Sequence, residues 1–217
     1  REIEKRAGAG PLPHLRDQPK LAKMMPQKII LASKSPRRAE ILRAAGWAFD
    51  AVAANIDETR HDNEDAVSYV RRLAQSKAER IARQFPNSLV LGADTIVLID
   101  EEILGQPGDS ISAARMLRLL SGKWHQVLTG VALVRVNDSH CIVEHEVTRV
   151  QFAELSDEEI SWYVATGEPL DKAGAYAIQG RAAPFIEEIQ GDYFNIVGLP
   201  LRRVYRLLQS VQLTTNT

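Results

Sequence analysis

The chain has 217 residues, which is enough for one substantial domain or for two small ones. Hydrophobic residues make up 45% and charged residues 25%, a composition typical of globular rather than disordered or fibrous proteins. With 27 basic and 28 acidic residues the formal net charge is -1, so the overall charge favours neither a nucleic acid nor a membrane as the partner.

The single cysteine, Cys141, excludes an internal disulfide framework and a metal site built from several cysteines. This cysteine usage fits a reducing compartment, and we expect a cytoplasmic protein. No run of about 18 apolar residues is present, so we expect no transmembrane helix. Prolines and charges interrupt residues 1–24, which we expect to be an extension outside the fold, with a short docked helix as the alternative. Residues 25–217 then form the folded domain.

The first half of the chain alternates strand-like and helix-like segments. Lys28–Ala32 is short, apolar and rich in β-branched residues, as in a buried strand. Ser35 and Pro36 then supply an N-cap and a first helical residue, and this helix ends at Gly46. The next predicted elements are a strand at Ala48–Ala54, a helix over residues 64–84 ended by Pro86, and a long strand at Ser88–Asp100.

The second half continues this alternation with longer strands. Its predicted elements are a helix capped by Ser110 and ended at Ser121–Gly122, strands at His125–Val136 and Cys141–Phe152, a helix with a capping box of Ser156 and Glu159 that ends at Gly167, short strands at Ala175–Ile178 and Phe185–Ile189, and a last helix at Leu199–Gln209. Helices and strands are interleaved without repeats or a flexible linker. This order predicts one α/β domain with a mixed sheet.

The segment Ser33–Arg38 is the first candidate site. A strand that feeds a helix leaves free N–H groups at the positive end of the helix dipole, where anions bind. Arg37 and Arg38 are unfavourable in a first helical turn unless an external phosphate lies between them, since guanidinium groups match phosphate oxygens. The alternative is a capped helix whose arginines point into solvent.

Asp94 is the second candidate, because it interrupts an otherwise apolar strand. A carboxylate buried there must be paired, protonated or bound to metal, which indicates a metal ligand or a general base. The structural alternative is a strand-end residue that caps a turn. Lys77 lies on an otherwise apolar helix face, where a lysine extends to solvent more often than it meets a buried anion.

Two further features carry weaker signals. The closely spaced glycines of the segment Gly167–Gly180 suggest a loop that lets the backbone approach a ligand, although most such segments are plain turns. The histidines show no metal-ligand spacing, so we expect solvated or core roles for them; they are His14, His61, His125, His140 and His145.

Five motifs in this order resemble the Maf family of nucleoside triphosphate pyrophosphatases: ASKSPRR (32–38), LGADT (91–95), LSGKWHQVLTGV (120–131), GEPLDKAGAYAIQG (167–180) and GDYFNIVGLPL (191–201). The resemblance covers about residues 28–208. It implies an elongated α/β domain with a mixed twisted sheet flanked by helices, related to the inosine-triphosphate pyrophosphatases. It also implies hydrolysis of the α–β phosphoanhydride with a divalent metal, Mg²⁺ or Mn²⁺, and a homodimer.

Residue by residue, the resemblance assigns a set of roles. Asp94 is the catalytic carboxylate and shares the metal with Glu58, while Lys77 takes part in catalysis. The phosphate-binding set is Ser33, Arg37, Arg38, Gln106 and Lys172. Gln106 stands where the family usually has a lysine, so we expect lower affinity or slower turnover than in a lysine-bearing relative.

The resemblance also indicates the substrate branch. Arg38, Thr95 and Gln179 match the dTTP/UTP branch, although Arg37 belongs to the same element as Arg38 and either arginine is a candidate to face the base. The Gln179 amide offers one donor and one acceptor, complementary to the imide edge of uracil or thymine. The alternatives are the 7-methyl-GTP branch and a non-catalytic nucleotide-binding regulator of cell division.

Overall fold

The computed structural model describes residues 28–214, with side chains up to residue 211. The extension expected over residues 1–24 lies outside these described residues. The strands are β1 (Ile29–Ala32), β2 (Phe49–Ala51), β3 (Val90–Ile99), β4 (Glu102–Leu104), β5 (Trp124–Arg135), β6 (His140–Phe152) and β7 (Ile186–Gln190). The helices are α1 (Pro36–Ala44), α2 (Ala66–Ala82), α3 (Ser110–Leu120), α4 (Asp157–Ala165), α5 (Tyr193–Val197) and α6 (Leu201–Thr214). Within residues 28–214 we find no helix whose length and apolar character would let it span a bilayer.

One open, mixed sheet organises these elements. Its strand order is β2-β1-β3-β5-β6-β7, and β4 adds a short hairpin to the far end of β3. The β1 strand pairs in parallel with β2 and β3, whereas β3, β5, β6 and β7 pair antiparallel. The predicted α/β domain with a mixed sheet is therefore confirmed.

Helices cover both faces of the sheet. On one face α2 packs through Ala74, Ala78 and Ile81 against β1, β3 and β5. On the other face, α1 and α6 cover the β1 half of the sheet, and α3 and α4 cover the part formed by the end of β3 with β5 and β6. This burial on both faces explains why the sequence of β3 is almost continuously apolar.

Several predicted boundaries are wrong for identifiable reasons. The strand expected at Ala48–Ala54 is limited to β2 because its partner β1 has only four residues. The N-cap of α3 is Asp109 rather than Ser110, since the Asp109 carboxylate accepts a hydrogen bond from the Ser112 N–H at 2.7 Å. The capping box of Ser156 and Glu159 on α4 is confirmed.

The strand predicted at Ala175–Ile178 is also wrong. A 3₁₀ turn occupies Ala173–Ala175, with Gly174 and Ala175 both at positive φ (68° and 60°). Gly174 is required there, because a Cβ atom would lie 2.7 Å from the side chain of Val97. Strand β4 and helix α5 are short elements that sequence periodicity does not predict.

Candidate active site

A gap beside β3 creates the candidate site. Strand β1 pairs with β3 only as far as Gly92, and β4 begins to pair at Val97. Residues 93–96 of β3 therefore have no strand neighbour on this side within the described chain. A cavity of about 680 Å³ opens at this gap, at the C-terminal end of β1. A crevice where neighbouring strands separate is the usual place for a ligand in an open α/β sheet.

The cavity collects residues that are far apart in the sequence. It brings together all ten residues to which the sequence analysis assigns catalytic, phosphate-binding or specificity roles: Ser33, Arg37, Arg38, Glu58, Lys77, Asp94, Thr95, Gln106, Lys172 and Gln179. Their roles remain predictions, whereas their proximity is a property of the fold.

Lys77 meets two carboxylates instead of extending to solvent. Its Nζ lies 2.6 Å from Asp94 Oδ1 and 2.7 Å from Glu58 Oε1. Lys77 and Asp94 are both buried, while the Glu58 side chain is about half exposed. Burial raises the pKa of the Asp94 carboxyl, against the opposing effect of Lys77 and Arg38. A carboxylate with a raised pKa is a stronger base than an ordinary aspartate, which suits proton abstraction.

Two glycines set the height of Lys77 above the sheet. A Cβ atom on Gly92 would lie 2.1 Å from the backbone oxygen of Ala74, and one on Gly130 would lie 2.1 Å from that of Val70. Helix α2 therefore rests directly on the backbone of β3 and β5. This close approach brings the Lys77 ammonium to Asp94, which pairs with Gly130 in the sheet register.

Glu58 is held by residues that sequence reasoning missed. The Tyr69 hydroxyl donates a 2.7 Å hydrogen bond to the Glu58 carbonyl. Arg72 donates to the Thr59 carbonyl at 3.0 Å and binds both oxygens of Glu64 at 2.6 and 2.8 Å, which lowers the pKa of Glu64 to about 2. Tyr69 and Arg72 lie three residues apart in α2 and so share one helix face. This spacing is the sequence feature that could have revealed them.

The start of α1 forms another part of the cavity wall. Ser35 caps the helix and Pro36 is its first residue, as the sequence predicts. The Ser33 hydroxyl oxygen accepts hydrogen bonds from the Ser35 N–H and from Arg38, both at 3.1 Å. The residues of this first turn line the cavity, and a helix start favours an anion.

The two adjacent arginines have different environments. Arg38 is buried and donates to the Gly198 carbonyl at 2.8 Å and to the Thr95 hydroxyl at 3.0 Å. Burial lowers the pKa of Arg38. The Thr95 hydroxyl oxygen also lies 2.9 Å from the Thr129 hydroxyl oxygen. Arg37 is on the cavity rim, with a 3.4 Å contact to the Asp171 carbonyl. The specificity predictions for Arg38 and Thr95 therefore fall on side chains that bind each other.

The segment after α4 closes the rim of the cavity. Gln106 donates to the Asp171 carbonyl at 3.1 Å, the same acceptor that Arg37 contacts. Lys172 forms an ion pair with the Asp171 carboxylate, and the Lys172 side chain is only 14% exposed. Neutral Gln106 is thus hydrogen-bonded to the protein in this structure. A lysine at this position would add a positive charge to the cavity rim.

Comparisons with known proteins identify the family of the chain. A family model described as "Maf-like protein" matches residues 28–211. The chain belongs to the Maf family. A relative from Symbiobacterium thermophilum, named dTTP/UTP pyrophosphatase, is 53% identical over 84% of this chain and 93% of its own length. A relative of the same name from Koribacter versatilis is 52% identical over 83% of this chain and 93% of its own.

The fold of this chain resembles that of a solved structure of low sequence identity. The solved structure of the Staphylococcus aureus Ham1 protein matches with a TM-score of 0.51 and 12% identity, over 85% of this chain and 99% of that one. At this identity the likeness shows a shared fold only. It supports the architecture of a single α/β domain whose open sheet is flanked by helices.

The donor set at the gap fits the divalent metal that the Maf family implies. Asp94 and Glu58 each present one carboxylate oxygen to the Lys77 Nζ, so these two oxygens lie close to each other. Mg²⁺ is commonly bound by one or two carboxylates, with substrate phosphates and water as the remaining ligands. Over residues 28–214 no group of three or more histidine, cysteine or acidic side chains forms a closed cage. The residues therefore suit a hard cation that is shared with a phosphorylated substrate.

Proposed function

We propose that this Maf-family protein hydrolyses dTTP and UTP to the nucleoside monophosphate and pyrophosphate. The observation that carries the proposal is the buried Asp94 carboxylate, which lies beside Lys77 and Glu58 in a cavity that the cationic start of α1 also lines. The names of the relatives at 53% and 52% identity support this substrate class.

Cationic groups and free amides at one end of the cavity would bind the triphosphate. Ser33 and the first turn of α1 provide hydroxyl and N–H donors, and Arg37 and Lys172 provide charge at the rim. Lys77 Nζ lies between two carboxylates and lines the same cavity. Positive charge concentrated at this point explains how a chain with net charge -1 can bind a polyanion.

The Asp94 carboxylate would accept a proton from the attacking water. The water oxygen forms a bond to the α-phosphorus, the α–β P–O bond breaks, and pyrophosphate leaves. Lys77 keeps Asp94 oriented, and the cations at the rim stabilise the charge that develops on the leaving group. A Mg²⁺ or Mn²⁺ ion held by Asp94 and Glu58 would supply further charge neutralisation at the phosphates.

Selectivity for a pyrimidine would come from Gln179. This residue lines the cavity, and within the described chain its side chain makes no hydrogen bond. Its amide is therefore available as one donor and one acceptor for the imide edge of uracil or thymine. Of the two adjacent arginines, Arg37 is the one at the accessible rim, since the donors of Arg38 bind Ser33, Thr95 and Gly198.

A nucleotide panel with one variant tests this function. Pyrophosphate release is measured from dTTP, UTP and 7-methyl-GTP with Mg²⁺ or Mn²⁺. We expect release from dTTP and UTP, and a loss of at least about 1000-fold in Asp94→Asn with an unchanged fold. The matched control is Asp138→Asn, at an exposed turn outside the cavity.

Each other outcome has a definite meaning. Preference for 7-methyl-GTP would assign the chain to the second branch of the family. No release from any nucleotide would favour a non-catalytic binding protein. Near-normal activity of Asp94→Asn would refute the role of this carboxylate.

The remaining expectations are part of the same proposal. We infer an elongated shape and kinship with inosine-triphosphate pyrophosphatases, supported by the shared fold with the Ham1 protein. We expect a cytoplasmic homodimer in which residues 25–217 form the catalytic domain. A variant without residues 1–24 should then keep full activity, and light scattering should give twice the chain mass.

A further inference from the structure

The turn that carries Gln179 rests on a carboxylate from the neighbouring segment. Glu168 begins the 3₁₀ helix Glu168–Asp171, just after α4. Its Oε1 accepts hydrogen bonds from the Arg181 N–H at 3.0 Å and from the Tyr163 hydroxyl at 2.9 Å. The Tyr163 oxygen in turn accepts a 3.2 Å hydrogen bond from the Ala177 N–H. Glu168 and Tyr163 therefore hold both ends of the turn, on either side of Gln179.

The packing at Gly180 shows how closely the carboxylate fits beneath this turn. A Cβ atom on Gly180 would lie 2.1 Å from Glu168 Oε1 and 2.5 Å from its Cδ. The carboxyl group thus fills the space of a side chain at the residue after Gln179. Tyr163 is fully buried, and burial together with the Glu168 carboxylate raises the pKa of its hydroxyl, which stays protonated and donates.

We propose that Glu168, with Tyr163, is a positioning residue that sets base selectivity by fixing the Gln179 turn. The inference rests on the proposed pyrimidine-triphosphate hydrolysis. An amide that reads a base edge discriminates only when its donor and its acceptor are held in one orientation. Within the described chain the Gln179 side chain has no hydrogen-bond partner of its own, so the backbone beneath it has to supply that order.

The chemistry of the contact explains why a carboxylate occupies this position. Both oxygens of Glu168 face the Arg181 N–H, at 3.0 and 3.3 Å. A glutamine would place an NH₂ group at one of these oxygens, opposite another donor, and so weaken the contact. The phosphate side depends on a different atom, because Lys172 Nζ contacts the backbone carbonyl of Glu168 at 3.4 Å. A change of the Glu168 side chain should therefore alter base recognition and leave phosphate binding intact.

The test compares Glu168→Gln and Tyr163→Phe with the wild type in steady-state kinetics. The substrates are dTTP and dCTP, which differ at the pairing edge of the base, and inorganic tripolyphosphate is the inhibitor that reports on the phosphate side alone. We expect Glu168→Gln to raise KM for dTTP by about tenfold and to narrow the dTTP-to-dCTP ratio of kcat/KM. Inhibition by tripolyphosphate should stay within about twofold. Tyr163→Phe should shift selectivity in the same direction by a smaller factor.

Two controls distinguish the positioning of the Gln179 turn from a general loss of structure or charge. Glu187→Gln removes the same charge from the exposed face of β7 and should change neither kinetics nor selectivity. Hydrogen exchange of residues 176–182 should be faster in Glu168→Gln than in the wild type, with the core strands unchanged.

The outcomes decide the inference. An unchanged dTTP-to-dCTP ratio in Glu168→Gln overturns it, and so does an equal loss for both nucleotides together with weaker tripolyphosphate inhibition. A wild-type protein that releases no pyrophosphate from either nucleotide refutes the proposed function instead. In that case hydrogen exchange still decides the anchoring of the turn, because unchanged exchange over residues 176–182 contradicts it.

Discussion

Replacing Gly92 by alanine should separate helix α2 from the sheet and draw Lys77 away from Asp94. The added methyl group would lie 2.1 Å from the Ala74 oxygen, 2.8 Å from the Ala78 nitrogen and 2.9 Å from the Ala78 Cβ. Two of these three atoms belong to the helix backbone, so no side-chain rotation relieves the clash. The helix must move by more than about 1 Å to restore ordinary contact distances.

The structure gives the expected size of both effects. Overpacking of this kind costs about 1–3 kcal/mol of folding free energy. The hydrogen bond between Lys77 Nζ and Asp94 Oδ1 is 2.6 Å long, and a shift of 1 Å would take it beyond hydrogen-bonding distance. Misplacement of a catalytic group by about 1 Å lowers turnover by about 100-fold. We therefore expect Gly92→Ala to lose more activity than its loss of stability explains.

The stability is measured by urea unfolding. The activity is measured as pyrophosphate release from dTTP, at urea concentrations well below the unfolding midpoint of the variant. Gly108→Ala is the matched control, since a methyl group there meets no atom within 4 Å. It should keep its stability within about 0.5 kcal/mol and keep full activity. A Gly92→Ala protein with wild-type midpoint and turnover would refute the claim that this close approach sets the position of Lys77.

Two further predictions concern Gln106 and His125. Gln106→Lys adds a cation beside the Asp171 carbonyl and should improve kcat/KM for dTTP by up to about tenfold; unchanged kcat and KM would contradict the expected deficit of Gln106. His125 is buried against Tyr176 and Phe152, with a pKa that burial lowers to about 4. Because the unfolded chain protonates this imidazole near pH 6.5 and the folded protein does not, stability should fall between pH 6.5 and pH 4, by up to about 3 kcal/mol. Urea midpoints measured across this range should vary less in His125→Gln, and an identical pH dependence would disprove the assignment.

Local sequence signals predicted most of the regular structure correctly. Helix α1 follows from Ser35 and Pro36, and α4 follows from its capping box. Strands β5 and β6 follow from long apolar or alternating segments. These features depend on neighbours in the chain, which a sequence displays directly.

The members of the candidate site were predicted from family motifs, and not from the local signals that predict helices and strands. Its members came from motifs of the Maf family, and the fold brings them to one cavity. Periodicity alone favoured a solvent-directed Lys77, whereas the structure places its ammonium between Asp94 and Glu58. The sequence also left Arg37 and Arg38 as equal candidates to face the base, and only their burial separates them.

The sequence by itself determined the fold class, the family and the residue types of the site. Tertiary structure decided which groups contact one another: the partners of Lys77, the burial of Arg38, and the support of the Gln179 turn by Glu168. The physical reason is that these contacts depend on where β1 stops and on how closely α2 approaches Gly92. Both are properties of packing between distant segments, and local propensity carries no information about them.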